Sequence, residues 1–335
     1  MGYYILKRFI LLIITLFGLF TVVFFVSHVV PADPARLAAG PFATEEMVQH
    51  LEEQFGLDKP LITQYLGYLK GLLQGNLGTS IRTRHPVLED LARFFPATLE
   101  LVLFSLSFAI IVGILLGVLS AVYQDTWIDH LSRLISISGL GLPQFWLALM
   151  LQLLIASELN LLPIGGRIDM IIGSPKPITH FYLLDSLLTG NWAAFKSSFL
   201  HILLPALSLS FPALASIIRI NRADVLDTLS EEFVTTARAK GLAENRVIWK
   251  HVLKNALIST VTMIGLRFGW TLGGTFLVET VFDWPGIGLY GVTSAIFSDF
   301  EPIIGVTLLI GVCFALANLV VDLAYGFLDP RISYE

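Results

Sequence analysis

The chain has 335 residues, 55% hydrophobic and only 14% charged, with a mean hydropathy of +0.76. A soluble domain carries about a quarter charged residues, so a water-soluble globule is excluded, and a formal net charge of −5 argues against nucleic acid as a partner. The apolar residues fall in long runs, which makes this a polytopic, all-α membrane protein.

The first apolar span runs from about Phe9 to Val30, 22 residues without a formal charge, preceded by Lys7 and Arg8. Crossing the hydrocarbon takes about 20 residues. Val30-Pro-Ala-Asp-Pro-Ala35 after it raises a cleaved signal peptide as a rival. The apolar region of such a peptide is usually about 7–15 residues, so the span is read as an anchor.

A loop over 31–98 follows and reads as folded. Thr44 can cap a helix with Glu45 and Glu46 in its first turn, where the helix dipole favours carboxylates. Met47, Leu51 and Phe55 recur on one face, and Gly56 ends the helix. Asp58 is placed to cap a second helix with Pro60 near its start, a face of Leu61, Tyr65, Leu69 and Leu73, and a close at Gly75-Asn76. These two amphipathic helices can lie on the bilayer, pack on the spans or receive a partner.

The remaining spans are about Leu99–Val122, Leu134–Ser157, Phe199–Ile218, Leu257–Phe282 and Ile303–Tyr325, six in all, with a tail over 326–335. Gly139, Gly141, Pro143, Pro205, Pro212, Gly269, Gly273 and Gly274 interrupt them. Such residues are tolerated where neighbouring helices re-satisfy the backbone, and they permit close helix packing or a moving pore wall. Phe181–Leu188 reads as a short interfacial helix, and 283–302 as a loop opened by Asp283-Trp-Pro-Gly-Ile-Gly288. Cys313 lies in an apolar run and reads as a buried small residue that cannot form an intrachain disulfide.

Lysine and arginine set the orientation. With the N-terminus cytoplasmic, the cytoplasmic segments hold Lys7, Arg8, Arg133, seven residues between Arg219 and Lys254, and Arg331. The short outer loops hold Arg167, Lys176 and Lys196. Six more lie in the 31–98 loop, which at 68 residues is long enough to escape the rule. Both termini are therefore expected on the cytoplasmic side of the cell (inner) membrane.

The most telling stretch is cytoplasmic, a charged segment over 219–256 set between apolar spans. Thr228-Leu-Ser-Glu231 fits a capping box. Phe233, Ala237 and Lys240 follow helical spacing, and Gly241 suits the left-handed position that ends a helix. A second short helix then has Val247, His251 and Lys254 on one face and Ile248 and Val252 on the next. Two helices bent at a glycine make a docking knob for a soluble partner; a solvated linker on the membrane surface is the alternative.

No Gly-Lys-Ser/Thr phosphate loop, His-Glu-x-x-His, metal-spaced Cys/His cluster or nucleophile elbow occurs in the chain. No catalytic residue, metal or bound cofactor is expected; any ATP is bound by another chain. At membrane depth, Arg267 stands ten residues into the fifth span. A charge there costs several kcal/mol unless it faces water or a partner. It either faces a translocation path or pairs with Glu279 or Asp322, which stay path candidates beside it. Glu100 and Glu279, near span ends, also suit structural roles.

Thr235-Thr-Ala-Arg-Ala-Lys-Gly241, nine residues, then His251-Val-Leu-Lys254 resembles the signature loop of the membrane subunits of ATP-binding-cassette importers. That pattern is Glu-Ala-Ala, three residues, Gly, nine residues, Ile-x-Leu-Pro. Ala237, Gly241 and Leu253 match it; Thr235, Thr236, His251 and Lys254 depart from it. Thr236-Ala-Arg-Ala-Lys-Gly-Leu242 and His251-Val-Leu-Lys-Asn-Ala256 are closer to the dipeptide/oligopeptide/nickel branch. So are Pro31-Ala-Asp-Pro34, Phe55-Gly-Leu-Asp-Lys-Pro60, Gly75-Asn-Leu-Gly-Thr-Ser80, Phe95-Pro-Ala-Thr-Leu-Glu-Leu101, Val278–Gly288 and Asp322–Arg331.

The resemblance implies a type I importer permease fold. It also implies a second homologous permease subunit, two ATPase subunits that bind ATP and Mg²⁺, an extracytoplasmic substrate-binding protein and a peptide substrate, most like the dipeptide permeases. Thr235, Thr236, Ala237, Arg238, Ala239, Lys240, Gly241, Leu242, His251 and Leu253 would then meet the ATPases. A nickel chelate or other small solute is the alternative cargo. An ion-gradient-driven transporter is the alternative class, for which only Arg267 offers a clear ionisable group at depth.

Overall fold

The computed structural model describes the backbone of residues 2–29, 34–40 and 42–328. Pro31–Asp33, Arg331 and most of the 326–335 tail lie outside it, and the Asp322 side chain is likewise outside the described residues.

Helix α1 (Gly2–Val29) presents Phe9, Ile13 and Phe17 outward, as a lipid-facing helix does, and buries Phe20 and Phe24. The helices α2 (Pro34–Ala39), α3 (Glu45–Phe55) and α4 (Leu61–Leu73) follow. Thr44 caps α3 by accepting the Met47 amide at 3.4 Å, and Gly56 ends it at φ 68°. Among the described residues of α3 Val48 is buried, while Met47 is exposed. Asp58 does not cap α4. Pro60 opens that helix, with its carbonyl taking the Thr63 and Gln64 amides, and the Gln64 side chain pins the carbonyls of Leu57 and Lys59. Tyr65, Tyr68, Leu69 and Leu72 form the inner face of α4 against Phe20 and Phe24, leaving Leu73 exposed. Helix α4 therefore packs on the spans.

Helix α5 (Val87–Val122) starts twelve residues before the expected Leu99, because Pro96 is accommodated inside it. The third span is broken. Helix α6 (Trp127–Gly141) meets α7 (Gln144–Leu151) and its π-helical extension Gln152–Glu158 at 112°, with Leu142-Pro143 at the elbow. Proline disfavours the helical conformation of the residue before it, and Leu142 is extended. Among the described residues five helices are long and apolar enough to span a membrane, six if the bent pair counts as one span. After α8 (Tyr182–Leu188) comes α9 (Trp192–Leu229), a 38-residue helix. It contacts α5, α6, α7, α8 and α12 and is the most buried span. Small residues let the backbones close in: a Cβ on Gly113 would stand 2.7 Å from Ile217, and one on Gly139 2.6 Å from Ala215.

Two short helices follow, α10 (Glu232–Ala239) and α11 (Glu244–Arg246), then a π-helical turn Val247–Val252 that runs into α12 (Leu253–Val281). The 283–302 segment is not simply a loop. It holds α13 (Ile287–Ile296), whose start is capped from a distance by Glu279 and Thr98. Helix α14 (Phe300–Leu328) closes the chain.

Candidate functional site

The bend between α9 and α12 is a folded unit with its own core. Val234 and Ala237 from α10, with Val247, Ile248 and Val252 from the π turn, pack on Val118, Ala121, Val225 and Ala256. The ends of α5, α9 and α12 are therefore continuous with the bend. Thr228 does not form a capping box: α9 runs on to Leu229, and the Thr228 hydroxyl donates back to the Asp224 carbonyl. The π turn places Val247, Ile248 and Val252 inward together, and leaves His251 half-buried and Lys254 exposed.

The turn after α10 is a Schellman motif. The Gly241 amide donates to the Arg238 carbonyl at 2.9 Å and the Leu242 amide to that of Ala237 at 3.4 Å. Gly241 sits at φ 74°, with open space where a Cβ would be. The Arg238 guanidinium forks onto Glu244 at 2.6 and 3.2 Å, joining the two limbs of the bend. Thr235, Thr236, Arg238, Ala239, Lys240 and Gly241 face outward. Ala237 faces the core, and Leu242, His251 and Leu253 are half-buried. Phe233, placed with Ala237 by helical spacing, is exposed while its neighbour Val234 takes the inward position, and Trp249, which the spacing did not single out, is exposed as well. The unit presents a small-residue shoulder at Ala239, Gly241 and Ala243, flanked by charges and two aromatics.

A polar lock joins the spans at the root of this unit. Asp129 of α6 is wholly buried and accepts from Ser120 (2.6 Å), the Asp125 amide (3.1 Å) and Arg222 (2.8 and 3.0 Å). Asn221, also buried, donates to Thr260 at 3.3 Å and so joins α9 to α12. Sequence alone counts Arg222 as a cytoplasmic cation. The one local signal was Asp129, an acid three residues after Thr126 at a helix start.

Arg267 is the fifteenth of 29 residues in α12 and lines a cavity of about 570 Å³ with Gln144, Pro212, Trp270, Thr271 and Phe314. Its guanidinium donates to the Ser216 hydroxyl. No carboxylate among the described residues pairs with it, and the charge it senses on α9 is another cation, Arg219. The cavity wall is softened by Pro212, which lacks the amide that would bond the Ser208 carbonyl; Gln144 of α7 supplies a donor to that carbonyl at 3.4 Å and to that of Leu209 at 3.3 Å. The α7 side of the elbow and the middle of α9 are thereby coupled to the cavity.

Glu279 does not pair with Arg267. Twelve residues along the same helix put it about 18 Å away, wholly buried, accepting from Thr98 (2.6 Å) and the Leu289 amide (3.0 Å). At the same end Glu100 accepts both Arg167 and the Leu183 amide, and Arg167 lies 3.7 Å from the Tyr182 ring centroid, so the 163–190 loop is clamped to α5. The structure thus brings the ten bend residues together, isolates Arg267 in a cavity, and sets Glu279 in a helix cap.

Residues 113–334 match the family described as "Binding-protein-dependent transport system inner membrane component", and residues 1–102 match its N-terminal companion. The chain is 45% identical over 322 residues to the probable D,D-dipeptide transport system permease protein of Escherichia coli (strain K12), covering 96% of this chain and 95% of that one. It is 40% identical to the dipeptide transport system permease protein of Alkalihalophilus pseudofirmus, over 99% of each chain. To the glutathione transport system permease protein of Escherichia coli O6:H1 it is 39% identical, again over 99% of each.

Proposed function

The chain belongs to the family of binding-protein-dependent transport system inner membrane components, and from that premise we propose that it forms half of the translocation path of an ATP-driven importer of short peptides. As a member it is a multi-pass permease, a transport component and not a catalytic subunit. The other half of the path is a second homologous permease. Two ATPase subunits bind ATP and Mg²⁺ and dock on the 232–253 unit from the cytoplasm, where both termini also lie. An extracytoplasmic binding protein delivers cargo to the opposite face. The lysine and arginine bias supports that orientation, and the names of the relatives support a peptide cargo.

The observation that carries the reading is the construction of the bend. Its buried core is continuous with three spans while its shoulder is exposed. A force on Thr235–Leu242 therefore moves α5, α9 and α12 as one body rather than deforming a loop. Two of those helices wall the Arg267 cavity, about 21 Å along α12 from Leu253. ATP-driven closure of the ATPases would reshape that cavity through α9 and α12. Arg267, with Arg219 on the neighbouring helix, meets the carboxylate or carbonyls of the passing peptide, which accounts for a charge at this depth without a carboxylate partner among the described residues.

Purification of the tagged chain from its membrane tests the assembly. A second permease and ATPase subunits should accompany it, and the ATPases should be lost on Gly241→Trp, which adds bulk outside the fold. Retention of the ATPases by that variant would refute the docking role. Dipeptide uptake should persist when the proton gradient is collapsed with ATP maintained, and Arg267→Ala should lower it at normal assembly. Unchanged uptake in that variant would remove Arg267 from the path.

A further inference from the structure

A second cavity, of about 410 Å³, lies at the opposite end of the bundle from the 232–253 unit, between α1, α4 and the start of α14. That volume falls in the range of small-molecule sites. Phe24, Leu57 and Ile304 supply an apolar wall. Most of the polar lining is already engaged. Gln64 donates to two carbonyls, the Tyr68 hydroxyl to the Leu77 carbonyl at 2.8 Å, and Asn76 accepts the Gly78 amide at 2.9 Å.

Two opposite charges on the lining remain. Glu301 has its own backbone amide and no side-chain partner among the described residues, and Lys59 stands exposed at the mouth without one. Glu301 is held in the wall: Gly78, at φ 80°, packs so closely that a Cβ there would lie 2.7 Å from the Glu301 Cγ. A carboxylate in the first turn of α14 suits the helix dipole, but the dipole explains neither the void in front of it nor the lysine across it. Phe24 is five residues from the end of α1, about 8 Å, which sets the cavity at the outer end of that span, beside the exposed Val22 and Val26.

We propose that this cavity binds a zwitterion, its primary ammonium seated on Glu301 and its anionic group on Lys59. The chemistry is that of a phosphatidylethanolamine headgroup, whose acyl chains would follow the lipid-facing side of α1, or of a free short peptide. The site is separate from the Arg267 cavity and does not rest on the transport reading.

The test uses the intact assembly in nanodiscs of phosphatidylcholine, with and without phosphatidylethanolamine, read by thermal melting and by native mass spectrometry of retained lipid. Phosphatidylethanolamine should raise the melting temperature and be retained by the parent, and E301Q and K59A should retain it about tenfold less or weaker. E301Q should melt like the parent in phosphatidylcholine alone, whose quaternary ammonium has no N–H to donate; if it melts lower, K59A, at the exposed mouth, carries the comparison alone. Alanylalanine that stabilises the parent, but not the variants, in phosphatidylethanolamine-free discs assigns the site to a soluble zwitterion. If both probes bind the variants as they bind the parent, or neither binds the parent, the proposal is overturned.

Discussion

Replacing Gly241 with alanine isolates backbone strain from bulk at the docking turn. Gly241 holds φ 74°, and a Cβ there meets nothing within 4 Å. The only cost is the left-handed conformation, about 1–2 kcal/mol for a residue with a Cβ. Such a cost is a factor of roughly 5–30 in a local equilibrium. It acts on the turn whose two closing bonds are Gly241 to Arg238 and Leu242 to Ala237. Hydrogen exchange at amides 241 and 242 should therefore speed up by roughly 5–30-fold in Gly241→Ala. Gly241→Asn should fall between the two, since asparagine tolerates this region best of the non-glycine residues. Amides of the buried Val247 and Val252 should be unchanged. Equal exchange in all three proteins, or a change that spreads through the core, would refute the idea that one dihedral angle maintains the shoulder.

Asp129→Asn should lower stability by about 3 kcal/mol, because it leaves the part-buried Arg222 without its counter-charge; Arg222→Met added to it should recover most of the loss, and a melting temperature insensitive to Asp129→Asn would sink the lock. Arg167→Met should release the 163–190 loop by stranding the Glu100 carboxylate, visible as protease sensitivity there, whereas a loop that stays protected would show that the cation is dispensable. Asp185 lies outside the spans. Burial pushes its carboxyl up, but bonds from the Thr179 hydroxyl and the amides of Thr179, Ile178 and His180 outweigh burial and hold it below its ordinary value of 3.8. A depressed folded value means its contribution is intact above the unfolded value and is lost as pH falls through the folded one. Protection of amides 178–180 should thus be flat from neutral pH down to about 4 and fall below it, and Asp185→Asn should abolish that dependence; loss of protection already near pH 6 would contradict it.

Much of this architecture is legible in the residues, and the gaps have physical causes. Hydropathy located the spans because apolar runs of about 20 residues with few charges match the thickness of the hydrocarbon. It could not locate the start of α5, since residues 87–98 read as part of an outer loop and continue the helix only by packing on α13 and α14. The elbow at Pro143 was marked by a proline but its angle was not, being set by where α6 and α7 dock on α9. Thr44 and Gly56 were readable because caps are local. Asp58 and Thr228 carry the same kind of local signal, yet one lost to a proline start and the other to the continuation of a long helix. In the bend, Gly241 was legible from its neighbours. The inward set was not, because a π turn shifts the register that a period of 3.6 assumes. The Asp129–Arg222 lock joins residues 93 positions apart, so the acid at the start of α6 was visible but its partner was not.

Helix α9, at 38 residues, is about 57 Å long, well beyond the hydrocarbon thickness of about 30 Å. It therefore has a stub in water at each end, rooted in the 232–253 unit at one and near the clamped 163–190 loop at the other. A rod pivoting at its centre has equal arms of about 28 Å, so a tilt of about 5° would carry each tip roughly 2.5 Å, in opposite directions. Pro205 and Pro212 fall near that centre, where missing amide bonds make bending cheapest. While the helix stays straight, narrowing on one side of the bilayer and widening on the other would be a single mechanical event, and the two prolines are where bending would uncouple one arm from the other.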